Sequence, residues 1–556
     1  MPPDLPDPDP PTPTGPPRDG ADAAFGAVDA PNAAFAPLRR DGRIRNGSAA
    51  LLGVVSVAAA VGVGHLAAAF VAPAASPPLA VAGAVVRLAP LPLVEFATST
   101  FGTADKPVLL AGIVVVLVAV AALAGLAARR RPWPAVAIVV GLGLVAGAAA
   151  RTAPSFAQLD LLPPLAATIA GVVSVRWLHP RLPRVVEPAA AGAGGEPVTR
   201  RAVLHGSAAL GLVGFAAAVA GGTGQLLGRG VGDSRAEVTR LLAASRITPA
   251  PPVPPGADLA ALGAPPVVTP NADFYRIDTA LRVPALAAAD WNLRVHGMVD
   301  RELTLSFADL VARPLVERTL TLTCVSNEVG GDLVSTARFV GVDLRDLLRD
   351  AGVAPGADQI LATSVDGWTA GTPTAVVLES DRGALLAVGM NGEALPREHG
   401  FPVRMVVPGL YGFVSATKWL TDLELTTFAA RDAYWVQRGW AEQAPIKTQS
   451  RIDRPRGFAE LPAGRVVLAG TAWAQHRGVE RVEVRADDGP WQAAQPATEV
   501  NLDTWRMWWA ELELRPGRHM LQCRATDGSG ATQPEQRTSP VPDGAAGWHS
   551  VVVNVS

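Results

Sequence analysis

Five apolar runs within the first 222 residues constrain the fold of this 556-residue chain more than any other feature. They occupy residues 49–72, 107–128, 134–150, 161–178 and 202–222. Each is about long enough to cross a hydrocarbon core of roughly 30 Å, and their interiors are nearly free of charge. Soluble cores do not supply five such runs in succession. The runs predict an all-α transmembrane region of about five helices over residues 47–225. Residues 79–96 carry Arg87, Glu95 and several prolines, and read instead as a loop or a piece lying on the membrane surface.

The basic residues set an orientation. Arg39, Arg40, Arg43 and Arg45 precede the first run, and Arg129, Arg130 and Arg131 follow the second. Arg176, Arg181, Arg184, Arg200 and Arg201 lie between the fourth and fifth, whereas the other loops carry only Arg87, Lys106 and Arg151. The positive-inside rule then places the N-terminus in the cytoplasm and everything after Gly222 outside. The expected location is a multi-pass protein of the plasma membrane with an extracytoplasmic C-terminal half. The segment Thr199-Arg200-Arg201-Ala202-Val203-Leu204 resembles a twin-arginine export signal placed internally. A net charge of −2 offers no global field to draw in nucleic acid.

Composition divides the rest. Residues 1–46, rich in Pro, Asp and Gly, cannot bury enough apolar surface to fold and read as a disordered cytoplasmic tail. Residues 226–268 are rich in Pro and Ala and read as a linker. From there strands and short helices mix without βαβ alternation, which predicts an α+β domain over 269–428. Expected elements include a strand at 291–296, a short helix at Leu310 and an amphipathic helix over 344–351. Beyond residue 428 the apolar residues alternate at 466–468, 479–484, 508–514, 519–524 and 550–553. Turns such as Asp487-Asp488-Gly489 separate these runs. That pattern predicts an all-β, immunoglobulin-like antiparallel sandwich over 429–556.

Only two cysteines occur. Cys324 ends the alternating run Leu320-Thr321-Leu322-Thr323 and precedes a polar turn reaching Gly330-Gly331. With no C-x-x-C or H-x3-H pair, a zinc site is excluded. A nucleophile, a single metal thiolate held mainly by a cofactor, and an inert buried thiol remain open for Cys324. Cys523 lies inside a strand and reads as a core thiol. The tryptophans at 473, 491, 505, 508 and 509 read as core or interface residues.

Residues 387–412, Ala387-Val388-Gly389-Met390-Asn391-Gly392 through His399-Gly400-Phe401-Pro402-Val403-Arg404 to Gly409-Leu410-Tyr411-Gly412, are followed by Ser415-Ala416-Thr417-Lys418-Trp419-Leu420. Together with the Cys324 segment and Thr269-Pro270-Asn271-Ala272-Asp273-Phe274-Tyr275-Arg276-Ile277-Asp278, they resemble the molybdopterin-binding domain of the sulfite oxidase family. The resemblance runs in order over about residues 268–428, and the region beyond also resembles that family's C-terminal domain. It implies a molybdenum–molybdopterin cofactor with a single pyranopterin, and Cys324 as the thiolate ligand of the metal. It further implies cofactor contacts from Asn271, Phe274, Tyr275, His399, Arg404, Ser415, Thr417 and Lys418. Cys324, Asp366 in the turn Asp366-Gly367-Trp368, and Arg276 are the implied catalytic residues.

The implied activity is oxygen-atom transfer to or from a small oxyanion or sulfoxide-type substrate. Electrons would pass to an external carrier, a cytochrome or quinol system, and the C-terminal domain would support a homodimer. A sulfoxide-type reductase of the same fold, and a non-catalytic membrane-anchored binding protein, are the alternatives. Members of the family that oxidise sulfite usually follow the cysteine with an Ala-Gly-Asn-Arg-Arg-like run and carry a tyrosine before the Met-Asn-Gly motif. Here Glu328-Val329 and Val388 occupy those places. Sulfite turnover is therefore expected to be weak unless Arg276 or Arg451 lines the pocket. No haem is predicted: no C-x-x-C-H motif exists, and His65 and His205 lie roughly 20 Å apart in depth at about 1.5 Å per residue.

Overall fold

The computed structural model describes residues 42–90, 104–153, 156–182, 184–185 and 230–556, with isolated positions between 91 and 103. The run at 202–222, with His205 and the Arg200-Arg201 pair, lies outside the described residues, as does the tail before residue 42. Four helices among the described residues are long and apolar enough to cross a membrane: Asn46–Phe70, Asp105–Ala127, Trp133–Arg151 and Gln158–Arg181. The first and second pack backbone to backbone. A Cβ built on Gly53 would fall 1.8 Å from the Ala121 carbonyl oxygen, and one on Gly125 would fall 1.8 Å from that of Ala49. Small residues are what allow apolar helices to approach this closely.

Of residues 79–96, expected as a loop or a piece on the membrane surface, residues 79–88 are helical. Pro77–Leu88 is a helix, with prolines in its first turn where no amide hydrogen is needed. Arg87 in its last turn donates to Thr152 Oγ1 at 2.9 Å, which turns the charge to use at the helix end.

The two ends of the helical bundle differ. At one end Arg43–Ile44 pairs with Arg184–Val185, and Ile44 N donates to the Arg129 carbonyl at 3.0 Å. At the other end the helices meet the α+β domain. Lys106 Nζ lies 2.8 Å from Asp278 Oδ1, and Arg438 Nη2 donates to the Arg87 carbonyl at 2.6 Å.

The predicted linker is folded into the α+β domain. Residues 230–244 are helical, with Val231, Val238 and Leu242 in the domain core. Ile247–Thr248 forms an edge strand parallel to Leu315–Val316. The Ala-rich composition that suggested a tether is equally good helix-forming composition, and only the apolar spacing of Val231, Val238 and Leu242 distinguishes the two.

The α+β domain holds two sheets. In one, Glu393–Ala394, Leu385–Met390, Val334–Asp343, Leu315–Thr323 and Ile247–Thr248 lie in that order, with Arg404–Val406 also paired to Leu385–Met390. In the other the order is Leu303–Ser306, Asn292–Gly297, Leu420–Thr426, Gln359–Ser364 and Thr369–Pro373. The helix Leu344–Ala351 starts where Asp343 accepts the Arg345 and Asp346 amides, and ends at left-handed Gly352. Its Leu344, Leu347, Leu348 and Ala351 fall on one face and are buried.

After residue 448 two sheets, of four and five strands, enclose a separate core that includes Leu468, Val484, Trp508 and Cys523. Pairing is antiparallel except at Glu460–Leu461. Trp473, Trp505 and Met507 do not join that core but belong to the core of the α+β domain. The two units are thus fused along a buried seam.

Candidate cofactor site

The site is built where three chain segments converge on the ends of the first sheet. Leu315–Thr323 delivers Cys324, the loop 269–278 crosses beside it, and the hairpin around Arg404–Val406 brings His399, Arg404, Thr417 and Lys418. Met405 N donates to the Thr417 carbonyl at 2.9 Å, which fixes the last two of these segments against each other. Gly400 makes this crossing possible. Its φ is +110°, and a Cβ there would press on Arg404 Cβ, Lys418 Cα and Lys418 Cβ, each at 3.1 Å.

His399 is buried beside Phe274, edge-on at 5.3 Å between ring centroids. Its Nε2 lies 3.3 Å from the Asn271 carbonyl, which can only accept, so Nε2 carries the proton. Nδ1 is then a bare acceptor, buried and without a partner. Burial, with Lys418 and Arg404 nearby, holds the imidazole down at about 3, so it is neutral at physiological pH. Arg404 is 3% exposed and donates from Nη1 to the His399 carbonyl at 3.2 Å, while its Nε–H has no partner. Burial lowers its guanidinium to about 10. Thr417 Oγ1 is likewise buried and unpartnered.

Lys418 reaches Asp278 Oδ2 at 3.4 Å, and Arg276 Nε reaches the same oxygen at 3.0 Å. With Lys106 they surround one buried carboxylate with three cations. Burial disfavours the ionised carboxylate, but Lys418 and Lys106 outweigh it and hold Asp278 at about 2. Burial lowers Lys418 to about 8, opposed by Asp278. A cavity of about 360 Å³ opens beside this group, lined by Asn271, Phe274, Arg276, Glu393 and His399 among others.

Cys324 is 9% exposed, and burial pushes its thiol up, opposed by bonds from Ser326 and by the Lys418 charge. Burial and the neighbouring Cys324 both raise the Tyr275 hydroxyl far above its ordinary range. Tyr275 N donates to Ser335 Oγ at 3.2 Å, and its ring stacks on Phe274 at 5.4 Å between centroids.

The structure therefore brings together Asn271, Phe274, Tyr275, Arg276, Cys324, His399, Arg404, Thr417 and Lys418. Three expectations fare differently. The Ser415 hydroxyl is turned onto the backbone just before its helix, Gly412–Ser415, where the carbonyls of Leu410 and Tyr411 accept at 3.0 Å each. Asp366 spends its carboxylate on the Trp368 amide at 3.2 Å within its own turn, and no contact ties it to Cys324. Arg451 does not line the site; it is bound to Asp453 at 2.7 Å and to the Gly331 carbonyl at 2.6 Å. Residue type suggested a role for each, but local hydrogen bonding claims Ser415 and Asp366, and a carboxylate and a distant carbonyl claim Arg451.

Asp278 and Lys106 were missed. Asp278 closes the quoted motif, where no role was given to it; its partner Lys106 belongs to a helix of the apolar region, and nothing in the sequence links the two.

The unpartnered atoms test whether these residues suit a pterin cofactor. An anionic group with acceptor oxygens needs forked and point cations with a hydroxyl, which Arg404, Lys418 and Thr417 present. A heterocycle with N–H donors needs a buried acceptor, which His399 Nδ1 presents. Leaving such groups buried without partners costs free energy, so their clustering here fits a bound polar molecule.

Comparison with known proteins agrees. A family model described as "Oxidoreductase molybdopterin binding domain" matches residues 280–435. Sulfite oxidase of Gallus gallus is 31% identical over 318 residues, which cover 48% of this chain and 68% of that protein. The mitochondrial sulfite oxidase of Homo sapiens is 31% identical over 341 residues, covering 52% of this chain and 62% of the human protein. The chain spans 55–62% of the mitochondrial sulfite oxidases it matches, under two thirds of their length. "Uncharacterized oxidoreductase YuiH" of Bacillus subtilis is 37% identical over 150 residues, covering 27% of this chain and 72% of YuiH. Among solved structures, the sulfane dehydrogenase SoxCD of Paracoccus pantotrophus aligns at 23% identity with a TM-score of 0.46, covering 52% of this chain and 84% of that one.

Proposed function

Because this chain belongs to the sulfite oxidase family and is a molybdenum-dependent oxidoreductase, we propose that it is a membrane-anchored enzyme of oxygen-atom transfer. The substrate would be a small oxyanion or sulfoxide-type molecule, and an external carrier would take or supply the electrons. When bound, the cofactor supplies a redox-active metal able to exchange an oxygen atom, chemistry that no side chain provides.

The protein's own residues hold and shape that centre. In this reading Arg404, Lys418 and Thr417 donate to the anionic end of the pterin, and His399 Nδ1 accepts from its ring. Cys324 is the metal's thiolate. Since burial favours its thiol, ligation releases a proton at Sγ, and Lys418 favours that release. Asp278 keeps Lys418 in place while Lys106 and Arg276 share its charge. Arg276, 43% exposed on its side chain and tied to Asp278 through Nε, lines the cavity, where its remaining N–H groups would meet an anionic substrate.

Anchoring rests on the four apolar helices, and the segregation of loops supports the orientation. Residues 43–44, 129 and 184–185 meet at one end. Residues 87 and 106 meet the catalytic domain at the other. The arginine-rich end is assigned to the cytoplasm and the catalytic domain to the opposite side. The sandwich after residue 448 is read as immunoglobulin-like and as the dimerisation unit.

One observation carries the cofactor reading: His399 Nδ1, Arg404 Nε and Thr417 Oγ1 are buried without partners in one cluster. Metal and pterin analysis of the purified full-length protein tests it. Molybdenum and pterin at about one per chain are expected, with Cys324→Ser keeping much of the pterin but losing turnover and changing the visible spectrum. Protein that never contains molybdenum would leave the non-catalytic binding protein as the better reading.

A further inference from the structure

The strand and turn that carry Cys324 are gripped from both sides by the C-terminal sandwich. Before the cysteine, Asn501 Nδ2 donates to the Thr319 carbonyl at 3.0 Å, and Thr321 N donates to the Asp503 carbonyl at 2.9 Å. Trp505 N donates to Thr321 Oγ1 at 2.8 Å, and Gln475 Nε2 to Thr323 Oγ1 at 3.2 Å. After the cysteine, Arg451 Nη1 donates to the Gly331 carbonyl at 2.6 Å. The His549 ring packs against Gly330 so closely that a Cβ there would strike it at 2.2 Å.

Between these clamps the turn is self-contained. Cys324 N donates to the Leu333 carbonyl and Leu333 N to Asn327 Oδ1, both at 2.9 Å. Its geometry is therefore rigid, and its placement depends on what holds its outer edge. Arg451 is suited to that task. It is 9% exposed, and Asp453 Oδ1 fixes its Nε at 2.7 Å while Thr471 donates to Asp453 Oδ2 at 3.1 Å. The guanidinium is thus held in one orientation by the sandwich sheet before it reaches Gly331. His549 is fixed in turn, because Ile452 N donates to its Nδ1 at 3.0 Å.

We propose that the C-terminal sandwich positions the Cys324 thiol, with Arg451 as the positioning residue and the His549–Gly330 contact as its second support. The consequence for chemistry rests on Cys324 being the metal thiolate, as argued above. The sandwich then acts as a frame for the metal ligand, whatever its role in assembly. It also accounts for Gly330: its left-handed φ of +81° and the His549 ring leave no room for a side chain.

The two cysteines give the test its own control. Full-length protein purified without cofactor is treated with iodoacetamide, and each thiol is followed by mass spectrometry. Cys324 reports on the turn, and Cys523, fully buried in the sandwich core, reports on the sandwich itself. Arg451→Ala should label Cys324 about ten- to a hundredfold faster with Cys523 unchanged, the effect of losing one charge-assisted hydrogen bond on a local opening. Arg451→Lys should fall between, since an ammonium cannot hold Asp453 and Gly331 in the same forked geometry. Gly330→Ala should also speed Cys324, because its methyl would strike the His549 ring, and His549→Ala alone should speed it by removing that support.

Unchanged Cys324 labelling in both Arg451→Ala and Gly330→Ala would overturn the proposal. So would parallel acceleration of both cysteines, which would mark a general loss of stability. In cofactor-loaded protein, Arg451→Ala should retain molybdenum and shift the visible absorption. If the unmodified protein contains no molybdenum, the cofactor reading fails, and the labelling still decides the positioning claim.

Discussion

Replacing Arg404 with methionine should move two measurements in opposite directions. Without cofactor, Arg404 is a buried cation whose one hydrogen bond is to the His399 carbonyl, and among the described residues no carboxylate pairs with it. Burial holds its guanidinium at about 10 rather than 12.5. At about 1.4 kcal/mol per tenfold change, keeping the charge costs on the order of 3 kcal/mol. Methionine removes that cost and fills similar volume, while the His399 carbonyl loses a donor worth about 1–2 kcal/mol. The cofactor-free variant should therefore be more stable by about 1–2 kcal/mol, read as a higher denaturant midpoint. The sign with pH is fixed too. A cation with a depressed folded value is penalised below about 10 and relieved above it, so the gain should be flat from pH 6 to 9. With cofactor, one side of a buried charge pair is lost, at about 3–5 kcal/mol, so pterin retention should fall more than about a hundredfold. A variant that is less stable without cofactor, yet keeps its full pterin when loaded, would refute the assignment.

Three further outcomes are expected. His399 is held at about 3, so acid costs stability as the unfolded chain protonates below about 6.5 while the folded one does not. His399→Gln should recover on the order of 2 kcal/mol at pH 5 and nothing at pH 8, measured by denaturant titration at both values. Asp278, held at about 2, contributes stability above its ordinary 3.8 that disappears as pH falls through about 2. Lys106→Ala should lower thermal stability at pH 7 by about 1–3 kcal/mol and start acid unfolding at higher pH; an unchanged acid limb would show the contact to be idle. Reporter fusions after Ala128 and after Thr152 should read cytoplasmic and external respectively, and the same reading at both would reverse the loop assignment.

Much of the architecture was legible in the chain. Apolar runs located four described helices to within a few residues, since nearly uninterrupted Ala, Val and Leu leaves little else possible. The helix over 344–351 and the strands after 448 followed from apolar spacing and turn residues. Cys324, His399, Arg404 and Lys418 were named from local, ordered motifs, and the fold gathers them into one buried cluster; their roles belong to the cofactor reading. The sequence misread elements whose fate depends on distant partners. The Ala- and Pro-rich linker became a helix and an edge strand because the sheet at Leu315–Thr323 offered it a surface. Residues 77–88 became a helix against the bundle despite their prolines.

Side-chain roles divide along the same line. A residue's chemistry is fixed by its type, but whether that chemistry is free depends on which groups satisfy it first. Ser415, Asp366 and Arg451 have types suited to a site, and nearby backbone or carboxylate groups claim them. Thr417 has no better credentials in the sequence than Ser415, yet the fold buries it with its hydroxyl unsatisfied. Asp278 joins the site through Lys106, a residue 172 positions away at the end of an apolar helix. The chain itself determined the local patterns, because periodicity and turn chemistry act between near neighbours. Only tertiary structure decided which polar groups remained available, because a hydrogen bond is claimed by whatever the fold brings within about 3 Å.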